Sequence, residues 1–80
     1  MKKYIIVAEN MWSIAPAKHL CYSLIPLVDV DNVLEKAFEA EKDAIHFRDR
    51  ICVKYNLLRE TTVVEEVDEE SLRCVSHEIC

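Results

Sequence analysis

Residues 3–8 open the chain with Lys-Tyr-Ile-Ile-Val-Ala, a run of aromatic and β-branched side chains. Such residues pack well on a pleated surface, so this run predicts a first strand. It is apolar on both faces, which points to a central strand, or to one whose second face meets something else. Residues 9–17 read as a loop that carries three large apolar groups, Met11, Trp12 and Ile14. Two roles suit these groups: folding back over the core as a lid, or anchoring a partner, since Trp is enriched at interface hot spots.

Residues 18–28 read as a second strand, with 18–25 as its dependable part. Leu20, Tyr22 and Leu24 fall on one face, and His19, Cys21, Ser23 and Ile25 on the other. Pro26 cannot donate to a ladder, so it places the end of this strand at an edge or a bulge. Asp29, Asp31 and Asn32 supply turn and cap chemistry, and Asn32 with Glu35 has the spacing of a capping box.

The strongest helical pattern follows. Val33, Ala37, Ala40, Ala44, Phe47, Ile51 and Tyr55 recur at alternating spacings of three and four, flanked by Leu34, Phe38, Ile45 and Cys52. A helix over 32–56 would run roughly 37 Å, beyond the ~30 Å breadth of a compact domain of this size. The expectation is therefore one long helix over 39–55, with 33–38 a short strand or separate turn, unless the overhang packs on a second copy. Asn56 suits a left-handed helix stop. Residues 61–67 predict a third strand. Asp68 can cap a short final helix bearing Leu72, Val75 and Ile79, with a C-terminal strand as the alternative. The order β-β-α-β implies an α+β fold: a small antiparallel sheet with one long helix packed on one face.

Eighty residues, 51% of them hydrophobic and 31% charged, describe a single small domain rather than a disordered chain. No run approaches the ~18 apolar residues of a membrane span. The chain has no glycine, which excludes Gly-rich phosphate loops and dinucleotide fingerprints. The net charge of -5 disfavours direct nucleic-acid binding, because phosphate neutralisation needs the opposite sign. The charge is uneven. Up to Val28 the charged residues are Lys2, Lys3, Lys18 and Glu9, whereas from Asp29 onward acids outnumber bases fourteen to seven.

The densest acidic run is Glu65, Glu66, Asp68, Glu69 and Glu70, five acids in six residues. Along a strand end and a turn these charges would stand roughly 3–7 Å apart, comparable with phosphates along a nucleic-acid strand. Such a segment can meet the basic groove of another protein; its plainer role is a solvated turn with helix-cap chemistry. The opening Met-Lys-Lys is followed by too short an apolar run for a signal peptide. A reducing compartment, the cytoplasm, is therefore expected, with Cys21, Cys52, Cys74 and Cys80 as free thiols. Cys74, His77 and Cys80 form a C-x-x-H-x-x-C array, and His19 with Cys21 adds an H-x-C pair. Six helical residues turn the face by about 600°, so Cys74 and Cys80 do not converge, and no metal is expected. No nucleophile has a base that a third group orients, and no carboxylate pair comes with a visible pocket. Neither catalysis nor a cofactor is expected.

The segments KKYIIVAEN, FEAEKDAIHFRDRI and TTVVEEVDEE give the chain a plan that resembles small bacteriophage accessory proteins, among them anti-CRISPR and other anti-defence inhibitors. The likeness lies in style rather than in a motif, and it carries over no functional residue. It implies a stoichiometric binder of a host protein, acting in the host cytoplasm. The leading expectation is a small acidic inhibitor whose host partner offers a basic surface, such as a nucleic-acid-handling complex. Its partner-binding residues are Glu65, Glu66, Asp68, Glu69 and Glu70, with Met11 and Trp12 as apolar anchors. The second is a structural or regulatory homo-oligomer, a homodimer for instance, stapled by a Cys/His metal site.

Overall fold

A computed structural model describes residues 2–9, 11–68, 70 and 72. Four strands and two helices follow one another as β1 (Lys2–Ala8), β2 (Trp12–Ala17), β3 (Cys21–Pro26), α1 (Val30–Lys36), α2 (Glu41–Tyr55) and β4 (Thr62–Asp68). The strands form one antiparallel sheet in the order β3-β2-β1-β4. The α+β class and the antiparallel sheet are as the sequence implies. The β-β-α-β order is not: a further strand precedes the helical region, and that region is two helices rather than one.

The added strand is β2, which lies in the segment expected to be a loop. Its alternation is hard to see in the sequence because Ser13 and Ala15 stand where large apolar groups would mark a buried face. Both are nevertheless buried, at 2% and 3% exposure. The register Ile6↔Ile14 and Ile14↔Leu24 places β2 between β1 and β3. The second expected strand also starts later. Lys18–Leu20 is a 3-10 turn, with His19 at φ 60° and Leu20 at φ 56°, so the ladder begins at Cys21 and ends at Pro26 on the sheet's edge.

β1 is apolar on both faces because each face is covered. Ile5 and Val7 point to one side, where they pack with Ala15, Ile25, Val30 and Val33 under α1. Ile6 points to the other and packs with Ile14 and with Ile51 of α2. Ile6 and Ile51 are both fully buried. Burying a side chain of this kind stabilises by about 1.5–3 kcal/mol, so a helix on each face is worth more than one long helix on a single face.

The expected helix over 39–55 is present from Glu41, and Asn56 ends it with φ 57° and ψ 45°, the left-handed stop its sequence suggests. Of residues 33–38, expected to be a short strand or turn, 33–36 form the second half of α1, while Ala37 is its extended C-cap and Phe38 lies beyond it. Asp29, not Asn32, occupies the N-cap of α1, and the Asn32 amide donates to the Asp29 carboxylate at 3.4 Å, so the capping box does not form.

Between the helices the chain passes from one face of the sheet to the other. β2 pairs with β1 only at Ile6, Val7 and Ala8; beyond Ile14 it continues alongside β3 alone. In the gap, Phe38 forms an isolated bridge with Tyr4. Pro16 lies in the departing part of β2, and a proline has no N–H for a ladder bond.

The third expected strand is β4, displaced by one residue. The final helix falls mostly outside the described residues. Glu70 and Leu72 have helical backbone, and Leu72 is buried against the α1-side core. No helix among the described residues is long and apolar enough to cross a membrane.

Candidate interaction surface

The hairpin turn at Ala8 sets the first part of the surface. Glu9 takes a positive φ of 54°, and Met11 donates back to the Ala8 carbonyl at 3.4 Å. Trp12 then emerges opposite Ala8 and Pro26, on the face that carries Ile6 and Ile14. On the same face the register brings Tyr22 and Leu24 of β3 alongside. After α2, the segment carrying Leu57 and Leu58 returns to this face before β4 begins. Leu57 donates to the Cys52 carbonyl at 2.9 Å, which turns the chain inward. These elements enclose a groove of about 220 Å³ whose walls include Trp12, Ile14, Tyr22, Leu24, Leu57 and Leu58.

Several large apolar side chains of this groove are open to solvent, beside Glu9, Thr61 and Thr62, which also line it. Trp12 is 39% exposed, Leu24 51%, Leu58 67%, and Met11, next to Trp12 in the chain, 69%. These large apolar side chains cluster at one end of the sheet rather than standing singly. Met11 and Trp12 thus lie at the surface, while Ile14, the third large apolar group of that segment, is buried in the core with Ile6 and Ile51. Leu24 and Leu58 were missed as neighbours. Their signal in the sequence was limited to parity: Leu24 shares the Tyr22 face.

The acidic residues are distributed differently from a single rail. Glu65 lies opposite Ile5 and therefore points to the α1 face, whereas Glu66 lies opposite Tyr4 and points to the α2 face. Asp68 lies opposite Lys2. The Lys2 ammonium reaches Glu66 at 2.9 Å, and this hydrogen bond, followed by the carboxylate's charge, holds the Lys2 pKa above the ordinary lysine value of 10.5. Glu70 is exposed, and Glu69 lies outside the described residues. β4 is an end strand of the sheet, where charged side chains discourage pairing with other chains.

A third feature is the turn between β2 and β3, tied to the end of α2. The 3-10 turn at Lys18–Leu20 places two residues without a glycine's freedom in left-handed backbone. Lys54 at the end of α2 fastens it, its ammonium donating to the His19 carbonyl at 3.0 Å and to the Leu20 carbonyl at 3.2 Å. The Tyr55 hydroxyl donates to the Leu20 carbonyl at 3.4 Å, and the Tyr55 ring meets Tyr22 edge-on at 4.9 Å. A hydrogen bond with Cys21, then burial, raises the Tyr55 pKa above the ordinary 10.0, against the opposing effect of Lys54.

His19 therefore belongs to the turn rather than to a strand shared with Cys21, and the H-x-C pair does not present both side chains from one strand face. Cys21 is an exposed free thiol and Cys52 a buried one. Cys74, His77 and Cys80 lie outside the described residues. Among the described residues no group of three or more His, Cys, Asp or Glu side chains is placed to hold a metal ion. Asp43, His46 and Asp49 lie along the outer side of α2, where His46 and Asp49 border a shallow depression with Lys42 and Ile45.

Comparison with protein-family models, with curated proteins and with solved structures finds no match for this chain.

Proposed function

We propose that this chain is a small acidic, non-enzymatic inhibitor that binds a host protein, in the manner of the bacteriophage anti-defence proteins it resembles. The observation that carries the reading is the set of exposed apolar side chains Trp12, Leu24 and Leu58 around one groove, with exposed Met11 next to Trp12 in the chain. Such groups cost solubility in isolation and gain their place when a partner covers them. The acidic end of β4 supports the choice of partner. Glu66 and Asp68, on the groove's face of the sheet, stand four and six residues along the strand from Thr62, which borders the groove, a distance of about 13–20 Å at 3.3 Å per residue, with Glu65, beside Glu66 in the chain, on the other face. Apolar anchors with acids at that spacing suit a basic surface that has an apolar pocket at its edge, such as the groove of a nucleic-acid-handling complex.

The test has two stages. Affinity capture from a bacterial lysate is run in parallel with the native chain and with a Trp12→Ala, Leu58→Asp double variant of unchanged circular dichroism. A partner retained by the first and lost by the second supports the reading. Association is then measured at two salt concentrations for the native chain and for a form with Glu65, Glu66, Asp68, Glu69 and Glu70 replaced by Gln or Asn. Neutralisation is expected to slow association by about tenfold or more at low salt and to flatten its salt dependence. Equal capture by both forms, or equal salt slopes, would overturn the reading.

A further inference from the structure

The two end strands of the sheet are treated very differently by the sequence. β4 carries Glu65, Glu66 and Asp68, whereas β3 reads Cys-Tyr-Ser-Leu-Ile-Pro and holds no charge at all. Charged side chains are a common means by which natural sheets keep an edge from pairing, and β3 lacks them. Its backbone polarity is set by its neighbours. Leu27, just past the strand, donates to the Met11 carbonyl on the β2 side at 3.1 Å. Backbone N–H groups alternate along a strand, so Ile25, Ser23 and Cys21 also face β2, and Leu24 and Tyr22 face outward. Pro26, also outward, has no N–H, and its carbonyl accepts from Asp29 at 2.9 Å.

Among the described residues, the outer side of β3 therefore presents two N–H and two C=O groups, those of Tyr22 and Leu24. This set is self-complementary. We propose that β3 pairs with β3 of a second copy, antiparallel about a two-fold axis at Ser23, so that Tyr22 and Leu24 of each chain exchange backbone hydrogen bonds with Leu24 and Tyr22 of the other.

Charge selects the second copy as occupant. The Cys21 end of β3 is flanked by Lys18 and by Lys54, whose ammonium is bonded to the turn. The Pro26 end is followed by Asp29 and Asp31. Antiparallel pairing sets the basic end of each chain against the acidic end of the other, twice. On the α2 face it also stacks each half-buried Tyr22 beside a Leu24 that is 51% exposed in one chain. The acids of β4 are then carried to the two far ends of an eight-stranded sheet, where a chain of net charge -5 repels its copy least.

The test is sedimentation equilibrium of the full chain up to about 1 mM, a range that detects even a weak dimer of -4 kcal/mol. A monomer–dimer equilibrium is expected. Leu24→Lys, with unchanged circular dichroism, should raise the dimer Kd about tenfold or more, since it places a charge beside Tyr22 on each side. Ser23→Cys tests the axis itself. The Ser23 pair is a non-hydrogen-bonded one, with Cα atoms about 4.5 Å apart, close enough for a disulfide. Under mild oxidation this variant should form a 23–23 link, and adding Leu24→Lys should suppress it. A chain that stays monomeric throughout overturns the proposal. So does a dimer that Leu24→Lys leaves intact, or a Ser23→Cys variant that gives no 23–23 link. None of these readouts involves a host protein, so they stand or fall apart from the inhibitor reading.

Discussion

Tyr4 and Phe38 exchange both backbone hydrogen bonds, N–H to C=O at 2.8 Å in each direction. This pair sits where β2 has left β1, and it holds the linker between α1 and α2 in the opening of the sheet. Through it a single chain covers both faces of β1. The Phe38 ring continues to the α2 side, where it lies 5.8 Å from Phe47.

The bridge has a consequence for exchange. Phe38 belongs to a linker of four residues, and linkers ordinarily exchange their amide hydrogens quickly. The Phe38 amide should instead exchange as slowly as those of β1, in hydrogen-exchange measurements resolved by residue. Exchange at the rate of Glu39, its exposed neighbour, would mean that the linker opens independently of the sheet.

Packing on α2 ranks two substitutions. Ile51 is fully buried against Ile6, while Phe47 is only half-buried. Ile51→Ala should cost about 2–5 kcal/mol. Phe47→Ala should cost less than the ~3–5 kcal/mol typical of a buried aromatic, because part of the ring already meets water. Urea denaturation of both variants checks the order, and a larger loss for Phe47→Ala would reverse the assignment of the core stripe.

Lys54 supports the strained turn through the backbone carbonyls of His19 and Leu20, with its ammonium also 5.2 Å from the centre of the Tyr55 ring. Lys54→Met keeps most of the stem but removes the donor to His19 and Leu20. A loss of about 1 kcal/mol is expected by denaturation. Since no carboxylate is involved in these two bonds, the loss should change little between low and high salt. A loss that vanished in high salt would indicate an ion pair in place of the carbonyl contacts.

The protein should weaken in alkali. Lys2 is raised above 10.5 by Glu66, so its contribution is complete below that value and is lost as pH rises through the folded pKa. Tyr55 is raised above 10.0, so the folded state keeps its proton longer and that contribution too declines with rising pH. The urea midpoint should hold level up to about pH 10 and then fall. Lys2→Gln should make the fall shallower. A midpoint that rose above pH 10, or a fall that Lys2→Gln left unchanged, would contradict these pairings.

The candidate surface was legible only in part. Trp12 and Met11 could be singled out because a Trp-bearing segment between strands has few places to go. The acids could be counted, but their division between two faces required the register of β4 on β1, which puts Glu65 opposite Ile5 and Glu66 opposite Tyr4. Leu58 joins Trp12 only because α2 ends at Asn56 and the chain turns back over the sheet.

The sequence by itself determined the elements whose signals are local. The β-branched run of β1, its apolar character on both faces, the stop at Asn56, the place of Pro26 at an edge or a bulge and a strand near 61–67 all follow from side-chain shape and period. Only the tertiary structure decided β2 and the division of the helix. β2 is buried through small residues, Ser13 and Ala15, whose size hides the alternation. The break at 37–40 contains neither proline nor glycine, and its two alanines are strong helix formers. Local propensity there yields to the pairing of Phe38 with Tyr4 and to the burial of Val33 on one face and Ile51 on the other. A helix can cover one face of a sheet; a strand apolar on both faces needs two, and that requirement exists only once the sheet has formed.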